Sequence, residues 1–318
     1  MTATTPLDLD GCDLSVAGLA AAFRAGRFGA EDLTRALLAR IAARDGALNA
    51  LIFLDDAAVA TARSIDARRA AGEPLGPLAG VPVGVKDTMD MVGHPTTGGW
   101  RVLSARAGGT DLVPRRDCPV VARMRAAGCV ILGKTNVPVL SASGSHADDS
   151  WAGPTLNAFA PDVVPGGSSA GSATAVAAGF ATIGLAEETG GSIQNPAAAQ
   201  GLVGIKPTFG LVANTGILPL ATATLDVVGP VARSVADAAA ALDVLAGPDP
   251  DDPKTMSAGG RLPPEGYVAA LAGASFAGAR LGLWGPGWRR EAGWRGRPLD
   301  PAIAAAYAAA SARIAAAG

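Results

Sequence analysis

Two glycine-rich stretches decide the fold of this sequence, PGGSSAGSATA at residues 165–175 and EETGGSIQNPA at residues 187–197. In the second stretch a Gly-Gly-Ser ends at Ser192, and Asn195 and Pro196 are typical first residues of a helix. Consecutive N–H groups ahead of a helix can converge on a negative oxygen, and glycine lets the backbone approach a ligand. A serine there can attack a carbonyl carbon. The pattern suits a serine nucleophile, but an isolated Gly-Gly-Ser more often forms only a tight turn.

Strand-like and helix-like segments alternate around these loops. In the segment 31–44, Leu33, Leu37 and Ile41 share one face, which is typical of an amphipathic helix. Further helices are predicted over 55–71, 117–127 (Asp117 as N-cap), 171–179, 195–201 (Asn195 as N-cap), from Ser234 to Gly247 (opened by Ser234 with Asp237), and from Asp300 onward (opened by Asp300 with Pro301). Buried strands are predicted over 81–85, 129–132, 181–186 and 279–284. This alternation predicts an α/β fold with a largely internal sheet.

Composition favours an ordinary globular protein. The chain has 318 residues, of which 49% are hydrophobic and 17% charged, and its net charge of −2 gives no reason to expect nucleic acid as a partner. No apolar run approaches the roughly 18 residues that a membrane span needs, and the N-terminus does not resemble a signal peptide. The cysteines (Cys12, Cys118 and Cys129) lack metal-ligand spacing and suit a reducing compartment. We therefore expect a soluble cytoplasmic protein without a metal or another cofactor.

Lysine is rare in this chain, so each lysine is a candidate for chemistry. Among 26 basic residues, only Lys86, Lys134, Lys206 and Lys254 are lysines. Arginine stays charged at any relevant pH, whereas a buried lysine can lose its proton and act as a base. Lys86 directly follows the apolar segment 81–85, which can supply the necessary burial.

Five sequence segments, which occur in the same order as in a known family, resemble the motifs of that family. They are GVPVGVKD (80–87), GKTN (133–136), PGGSSAGSA (165–173), TGGSIQNPA (189–197) and GLVGIKPTFGLV (201–212). With these motifs the sequence resembles the amidase signature family from about residue 30 to 250. Ser168 and Ser192 also lie 24 residues apart (192 − 168), as in that family.

The resemblance implies both a fold and a mechanism. The fold would be a central mixed β-sheet covered on both faces by helices, and the reaction would be hydrolysis of a carboxamide C–N bond in a small-molecule amide. Ser192 would be the nucleophile that forms an acyl-enzyme, Ser168 would follow a cis peptide bond from Gly167 and relay a proton, and Lys86 would be the general base. The oxyanion hole would consist of the backbone N–H groups of Thr189, Gly190, Gly191 and Ser192.

This chain departs from the family pattern around the nucleophile. Glu187 and Glu188 stand where the family usually has Thr-Asp, and a carboxylate beside Lys86 would raise the pKa of that amine. Gln194 replaces an arginine that many members have, so no guanidinium is offered there to a substrate carboxylate. The substrate and the effect of these changes stay open at this point.

The sequence also suggests an organisation. We expect an N-terminal helical segment over 1–75, a catalytic core over 76–250, and the start of a C-terminal part over 251–318. The last helix should lead into another strand, so we expect the chain to be a fragment or a truncated product. The oligomeric state is open, a homodimer being one option.

Three alternatives compete with a free-standing amidase. The chain could be the amidase component of an aminoacyl-tRNA amidotransferase, which releases ammonia from glutamine, or an inactive truncated family member. Gly167-Ser168-Ser169-Ala170-Gly171 also matches the G-x-S-x-G elbow of α/β-hydrolases, with Ser169 as nucleophile of an esterase. That chemistry needs a histidine after the serine, whereas His94 and His146 both precede it. A phosphate-binding loop is disfavoured because the Gly-Lys-Ser/Thr ending is missing.

Overall fold

The computed structural model describes residues 7–220, 224–283 and 300–317. The described residues belong to two compact units, one within Met1–Val268 and the other within Ala269–Gly318. The sheet and all the predicted site residues lie in the first unit. None of the helices in these ranges is long and apolar enough to cross a membrane.

A mixed sheet forms the centre of the first unit, and its described part has six strands in the order β1-β3-β2-β4-β6-β5. The strands are β1 (Leu51–Leu54), β2 (Pro82–Lys86), β3 (Val130–Thr135), β4 (Ile183–Glu188), β5 (Val203–Gly204) and β6 (Val227–Ala232). Strand β2 runs parallel to both β3 and β4, whereas β1 and β6 pair antiparallel with β3 and β4. The predicted mixed α/β sheet is therefore confirmed, including the strand that ends at Lys86.

The helices of the described residues are α1 (Val16–Arg24), α2 (Ala30–Arg44), α3 (Ala58–Ala70), α4 (Pro119–Ala126), α5 (Ala170–Ala177), α6 (Gln194–Ala199), α7 (Val235–Leu245), α8 (Gly266–Ala269) and α9 (Pro301–Ala316). The predicted caps of α7 and α9 are confirmed. The Ser234 hydroxyl accepts a hydrogen bond from the Asp237 amide, and the Asp300 side chain accepts one from the Ala302 amide.

Helices cover both faces of the sheet, and β3 shows how the two cores are divided. Ile131 belongs to the apolar cluster that includes residues of α4 and α7. Its neighbours Val130 and Leu132 point the other way, into the cluster with residues of α1, α2 and α3. This alternation follows from the two-residue period of a strand. The central strands β2, β3, β4 and β6 are buried along their whole length, which fixes the ends of β2 and β4 inside the protein.

Two local predictions, one at the start of α4 and one in the C-terminal part, were wrong. Asp117 does not cap α4, because Cys118 occupies the N-cap position and the Asp117 carboxylate instead binds the Val92 amide and the Arg125 guanidinium. Residues 279–283 form no strand, and Trp284 lies outside the described residues. A strand needs a partner to supply its hydrogen bonds, and local apolar patterning does not supply one.

Candidate active site

A lysine amine and a serine hydroxyl meet beneath the glycine-rich loops. Lys86, the last residue of β2, and Ser168, just before α5, both have an exposed fraction of 0%. The Lys86 Nζ donates a hydrogen bond of 2.8 Å to the Ser168 Oγ and one of 3.1 Å to the Glu187 carbonyl on β4. The peptide bond between Gly167 and Ser168 is cis, as the family resemblance implied. Parallel pairing of β2 with β4 therefore brings the ends of both strands to the two serines.

Backbone contacts hold the two glycine-rich loops together. The Ser169 amide donates to the Ser192 carbonyl at 3.3 Å, so Ser192 lies directly beside the residue that follows Ser168. The Gly144 carbonyl accepts both the Gly167 amide at 3.0 Å and the Asn195 side-chain amide at 3.1 Å. At Gly166, an added Cβ would lie only 2.5 Å from the Pro196 Cα. Glycine is required there because the two loops approach so closely.

Ser192 has the features expected of an available nucleophile. Its side chain is nearly buried, with 6% exposed. Within the described ranges its hydroxyl makes no hydrogen bond, and neither the Gly190 nor the Ser192 amide has an acceptor. A Cβ at Gly190 would meet nothing within 4 Å, so there is open space beside these amides. Unused donors facing space next to a serine can stabilise negative charge on a bound oxygen.

Thr189, the first residue of the predicted oxyanion loop, is tied to a buried carboxylate. Its hydroxyl donates a hydrogen bond to the Asp226 Oδ1, and the Asp226 Oδ2 accepts the Leu220 amide at 3.0 Å. Asp226 lies one residue before β6, so this contact fixes the start of the loop to the sheet. Sequence reasoning missed Asp226, because nothing in the local pattern relates it to a loop 37 residues away.

Glu187 faces the lysine. The sequence had left open whether Glu187 or Glu188, which replace the usual Thr-Asp of the family, lies beside Lys86. The Glu187 Oε2 lies 3.4 Å from the Lys86 Nζ and accepts a hydrogen bond of 3.0 Å from the Thr88 hydroxyl. Burial lowers the pKa of Lys86, and the Glu187 carboxylate opposes that shift without reversing it. A lowered pKa brings the amine closer to the neutral form that a general base needs.

Glu188 faces away from the lysine and caps α6. Its Oε2 accepts the amides of Ile193 at 2.8 Å and Gln194 at 3.0 Å, and its Oε1 accepts the Gln194 side chain at 2.6 Å. The predicted Asn195 cap is therefore wrong, because Ile193 occupies the N-cap position, two residues earlier, and a carboxylate from β4 supplies the acceptor. The same contact occupies Gln194, the residue that replaces the family arginine.

Ser169 is not placed as a nucleophile. Its buried hydroxyl lies against the Glu187 backbone, 3.3 Å from the carbonyl and 3.4 Å from the amide. Neither histidine side chain hydrogen-bonds to Ser169 within the described ranges: His94 pairs with Asp55 at 3.6 Å, and His146 contacts Ser145 at 2.9 Å. The esterase alternative based on Ser169 therefore lacks its base in this structure.

A second buried ion pair lies beside the site. Lys134 on β3 and Asp87, which follows Lys86, are both fully buried, with Nζ and Oδ1 3.0 Å apart. Asp87 also accepts the amide and hydroxyl of Thr97, and the Thr97 hydroxyl accepts the Trp151 ring N–H at 2.8 Å. The pair anchors the loop that contains residues 95–100. In the described part of the chain, no three His, Cys, Asp or Glu side chains cluster as a metal ligand set would.

A mixed α/β sheet with a buried lysine–serine pair beside a Gly-Gly-Ser loop is the arrangement expected of a serine amide hydrolase. Comparison with known proteins agrees. The Amidase family model matches residues 32–318, so the chain belongs to the Amidase family.

Relatives with known names share much of this sequence. A component of the glutamyl-tRNA(Gln) amidotransferase of Salinispora arenicola is 43% identical over 300 residues, covering 93% of this chain and 57% of the relative. The component of the same name from Acidothermus cellulolyticus is 45% identical over 266 residues, covering 83% of this chain and 50% of the relative. The chain thus spans about half the length of the curated relatives that it matches.

Solved structures show the same fold. Native peptide amidase from Stenotrophomonas maltophilia superposes with a TM-score of 0.72 at 36% identity, covering 83% of this chain and 54% of that enzyme. An amidase family protein from Bacillus anthracis superposes with a TM-score of 0.71 at 35% identity, covering 77% of this chain and 49% of that protein. The predicted family and fold class are therefore confirmed.

Proposed function

We propose that this chain contains the catalytic centre of an amide hydrolase, with Ser192 as nucleophile, Ser168 as proton relay and Lys86 as general base. The observation that supports this most directly is the 2.8 Å contact between the Lys86 Nζ and the Ser168 Oγ, both fully buried, beside the loop of Ser192. A buried lysine and a buried hydroxyl are costly to place together without a role, because both must be desolvated.

The reaction proceeds through an acyl-enzyme. The neutral Lys86 amine accepts the Ser168 proton across their contact, Ser168 takes the proton of Ser192, and the Ser192 Oγ bonds to the substrate carbonyl carbon. The proton then returns through Ser168 to the leaving nitrogen, and the C–N bond breaks. Water repeats the sequence at the acyl-enzyme and releases the carboxylic acid, so Lys86 ends as a neutral amine.

In this proposal the amides of Thr189, Gly190, Gly191 and Ser192 stabilise the tetrahedral oxyanion, and the Gly191 amide also contacts the Glu188 carboxylate. Those of Gly190 and Ser192 are unoccupied within the described ranges, and Thr189 is fixed through Asp226. Such donors are most effective when they are already oriented before the charge develops. The substrate is a small-molecule amide, and its acyl group and amine are not defined by the described residues.

A fluorophosphonate probe tests the assignment. We expect the probe to label Ser192 in the parent protein, with the labelled residue identified by peptide mapping. In the Ser192→Ala variant, no residue of the site should be labelled. The Ser169→Ala variant is the matched control, because it removes the neighbouring hydroxyl and should keep both labelling and amide turnover. Labelling at Ser169, or unchanged turnover by Ser192→Ala, would refute the proposed function.

One second function is favoured by a specific observation. The named relatives at 43% and 45% identity are components of glutamyl-tRNA(Gln) amidotransferases. In that alternative the same three residues would hydrolyse glutamine, and the ammonia would pass to a partner protein. Glutaminase activity that rises when a partner protein is added would favour this alternative over a free-standing amidase.

A homodimer is the other assembly to test. Measurement of the oligomeric state in solution tests it.

The compartment is part of the proposal. The three cysteines are all free, and burial raises the pKa of the Cys118 thiol to about 12, so this thiol is inert. Free cysteines are typical of a reducing compartment, which supports the cytoplasm as the site of action.

A further inference from the structure

Glu187 is a buried carboxylate that the mechanism above does not use. Only 2% of it is exposed, and it lies on β4 next to the lysine on β2. The Glu187 Oε2 is 3.4 Å from the Lys86 Nζ and accepts the Thr88 hydroxyl at 3.0 Å. Its main-chain carbonyl contacts the same amine at 3.1 Å. Residue 187 therefore approaches the proposed base with both its carbonyl and its carboxylate.

The second carboxylate oxygen is unsatisfied. Within the described ranges, the Glu187 Oε1 is buried and has no hydrogen-bond partner. A carboxylate that only needed a structural anchor would be expected to have both oxygens bonded. The Lys86 amine is the basic group in contact with this carboxylate, and the Thr88 hydroxyl orients the carboxylate.

The other charges near Lys86 are directed elsewhere. Glu188, also on β4, accepts the amides at the start of α6, and Asp226, just before β6, accepts Thr189 and the Leu220 amide. Both carboxylates favour the charged form of Lys86 only through space, whereas Glu187 also contacts the amine directly. Ser168, from the loop before α5, is uncharged.

We propose that Glu187 is a positioning residue that pairs with the protonated Lys86 and thereby sets the lower pH limit of hydrolysis. This inference rests on the proposed function, since it assigns a partner to the proposed base. As the pH falls, the Lys86 amine takes up a proton, and the Glu187 carboxylate stabilises the resulting ammonium ion. Lys86 can then no longer accept the proton of Ser168. Burial of the amine acts in the opposite direction and keeps the neutral form accessible.

Two measurements on the full chain test this inference. The first is the titration of the Lys86 side chain by NMR after selective lysine labelling, which is practical because the chain has only four lysines. The second is the pH profile of kcat/KM for an amide substrate. In the Glu187→Gln variant, the isosteric side chain keeps the shape of glutamate and loses its charge.

We expect the midpoint of the Lys86 titration and the midpoint of the acid limb of kcat/KM to fall together by about 1–3 pH units. This is the range for loss of a contacting opposite charge.

Glu187→Asp is the matched control, because it keeps the charge and moves it by one methylene. Its midpoints should lie closer to those of the parent than to those of Glu187→Gln. Thr88→Val removes the hydrogen bond that orients the carboxylate, so a smaller fall in both midpoints is expected. Unchanged Lys86 titration in Glu187→Gln, with circular dichroism showing a folded protein, would overturn the inference.

The two proposals fail in different ways. If Ser192 is inert to a fluorophosphonate and the chain hydrolyses no amide, the proposed function is refuted. If Ser192 is labelled and amides are hydrolysed, but the acid limb of kcat/KM is the same in the parent and in Glu187→Gln, the role of Glu187 is refuted while the catalytic assignment stands.

Discussion

At the scale of single residues, the decisive property of Lys86 is that its amine can become neutral. Replacement by arginine keeps a cation in the site but removes the ability to accept a proton. We predict that Lys86→Arg lowers kcat by about 10²–10⁴-fold, the usual contribution of a general base. Amide turnover at neutral pH measures the effect, and thermal denaturation verifies that the variant folds.

Lys206→Arg is the control for this substitution, because Lys206 is exposed and outside the site. It should retain the activity of the parent. Substantial turnover by Lys86→Arg at neutral pH would show that the proton of Ser168 goes elsewhere, and the base would have to be reassigned.

The sequence could name Lys86, Ser168 and Ser192 as candidate catalytic residues, but it could not place the Glu187 side chain. The first three occur in family motifs, and the apolar run before Lys86 indicated its burial. The direction of the Glu187 side chain depends on the pairing of β2 with β4, residues about a hundred positions apart. Sequence reasoning could name this carboxylate as a potential neighbour of the lysine, and only the strand pairing shows that it contacts the amine.

At the scale of secondary structure, α6 depends on a carboxylate outside the helix. Burial raises the pKa of Glu188, but the hydrogen bonds from the amides of Ile193 and Gln194 outweigh burial and hold the pKa below its ordinary value. A carboxyl group with a lowered pKa stabilises the fold at pH values above the unfolded pKa, and this contribution is lost as the pH falls through the folded pKa.

We therefore predict that Glu188→Gln lowers the free energy of unfolding at pH 7 by about 1–2 kcal/mol, as expected for hydrogen bonds to a charged acceptor. The difference from the parent should shrink as the pH falls below 4.5, the ordinary value for glutamate. Urea denaturation at several pH values measures it. Glu265→Gln, at an exposed position, is the control and should change little. A difference that persists undiminished in acid would contradict the charged cap.

The caps also show which local features sequence alone can predict. Ser234 and Asp237 are three residues apart, so their N-cap contact depends only on the local sequence and was predicted correctly. Asn195 has a suitable side chain, but the cap of α6 is supplied by Glu188, which the preceding strand β4 places at the start of the helix. A cap formed by residues that are close in sequence can be predicted from pattern, whereas a cap supplied by another element requires the fold.

At the scale of the whole molecule, composition and alternating patterns predicted the α/β class, and the motifs predicted the family. The strand order β1-β3-β2-β4-β6-β5 could not be derived in the same way. In that order β2 lies between β3 and β4 and is remote along the chain from both, so nothing local specifies the neighbours. The tertiary arrangement decides this order, because burying both faces of the central strands requires all the helices at once.

The apolar core of the described residues lies in the first compact unit. Within the described ranges, every residue of the three apolar clusters lies at or before Tyr267, and α9 in the second unit has no buried residue. A chain that ends at Val268 should therefore keep its core. We predict that its Tm differs from that of the parent by less than about 4 °C, which corresponds to about 1 kcal/mol. Ser192 in the shortened chain should still react with a fluorophosphonate, because Lys86, Ser168 and Ser192 all belong to the first unit. Loss of the cooperative transition would show that residues 269–318 are needed for the core, and loss of labelling in a folded chain would show that they are needed for the site.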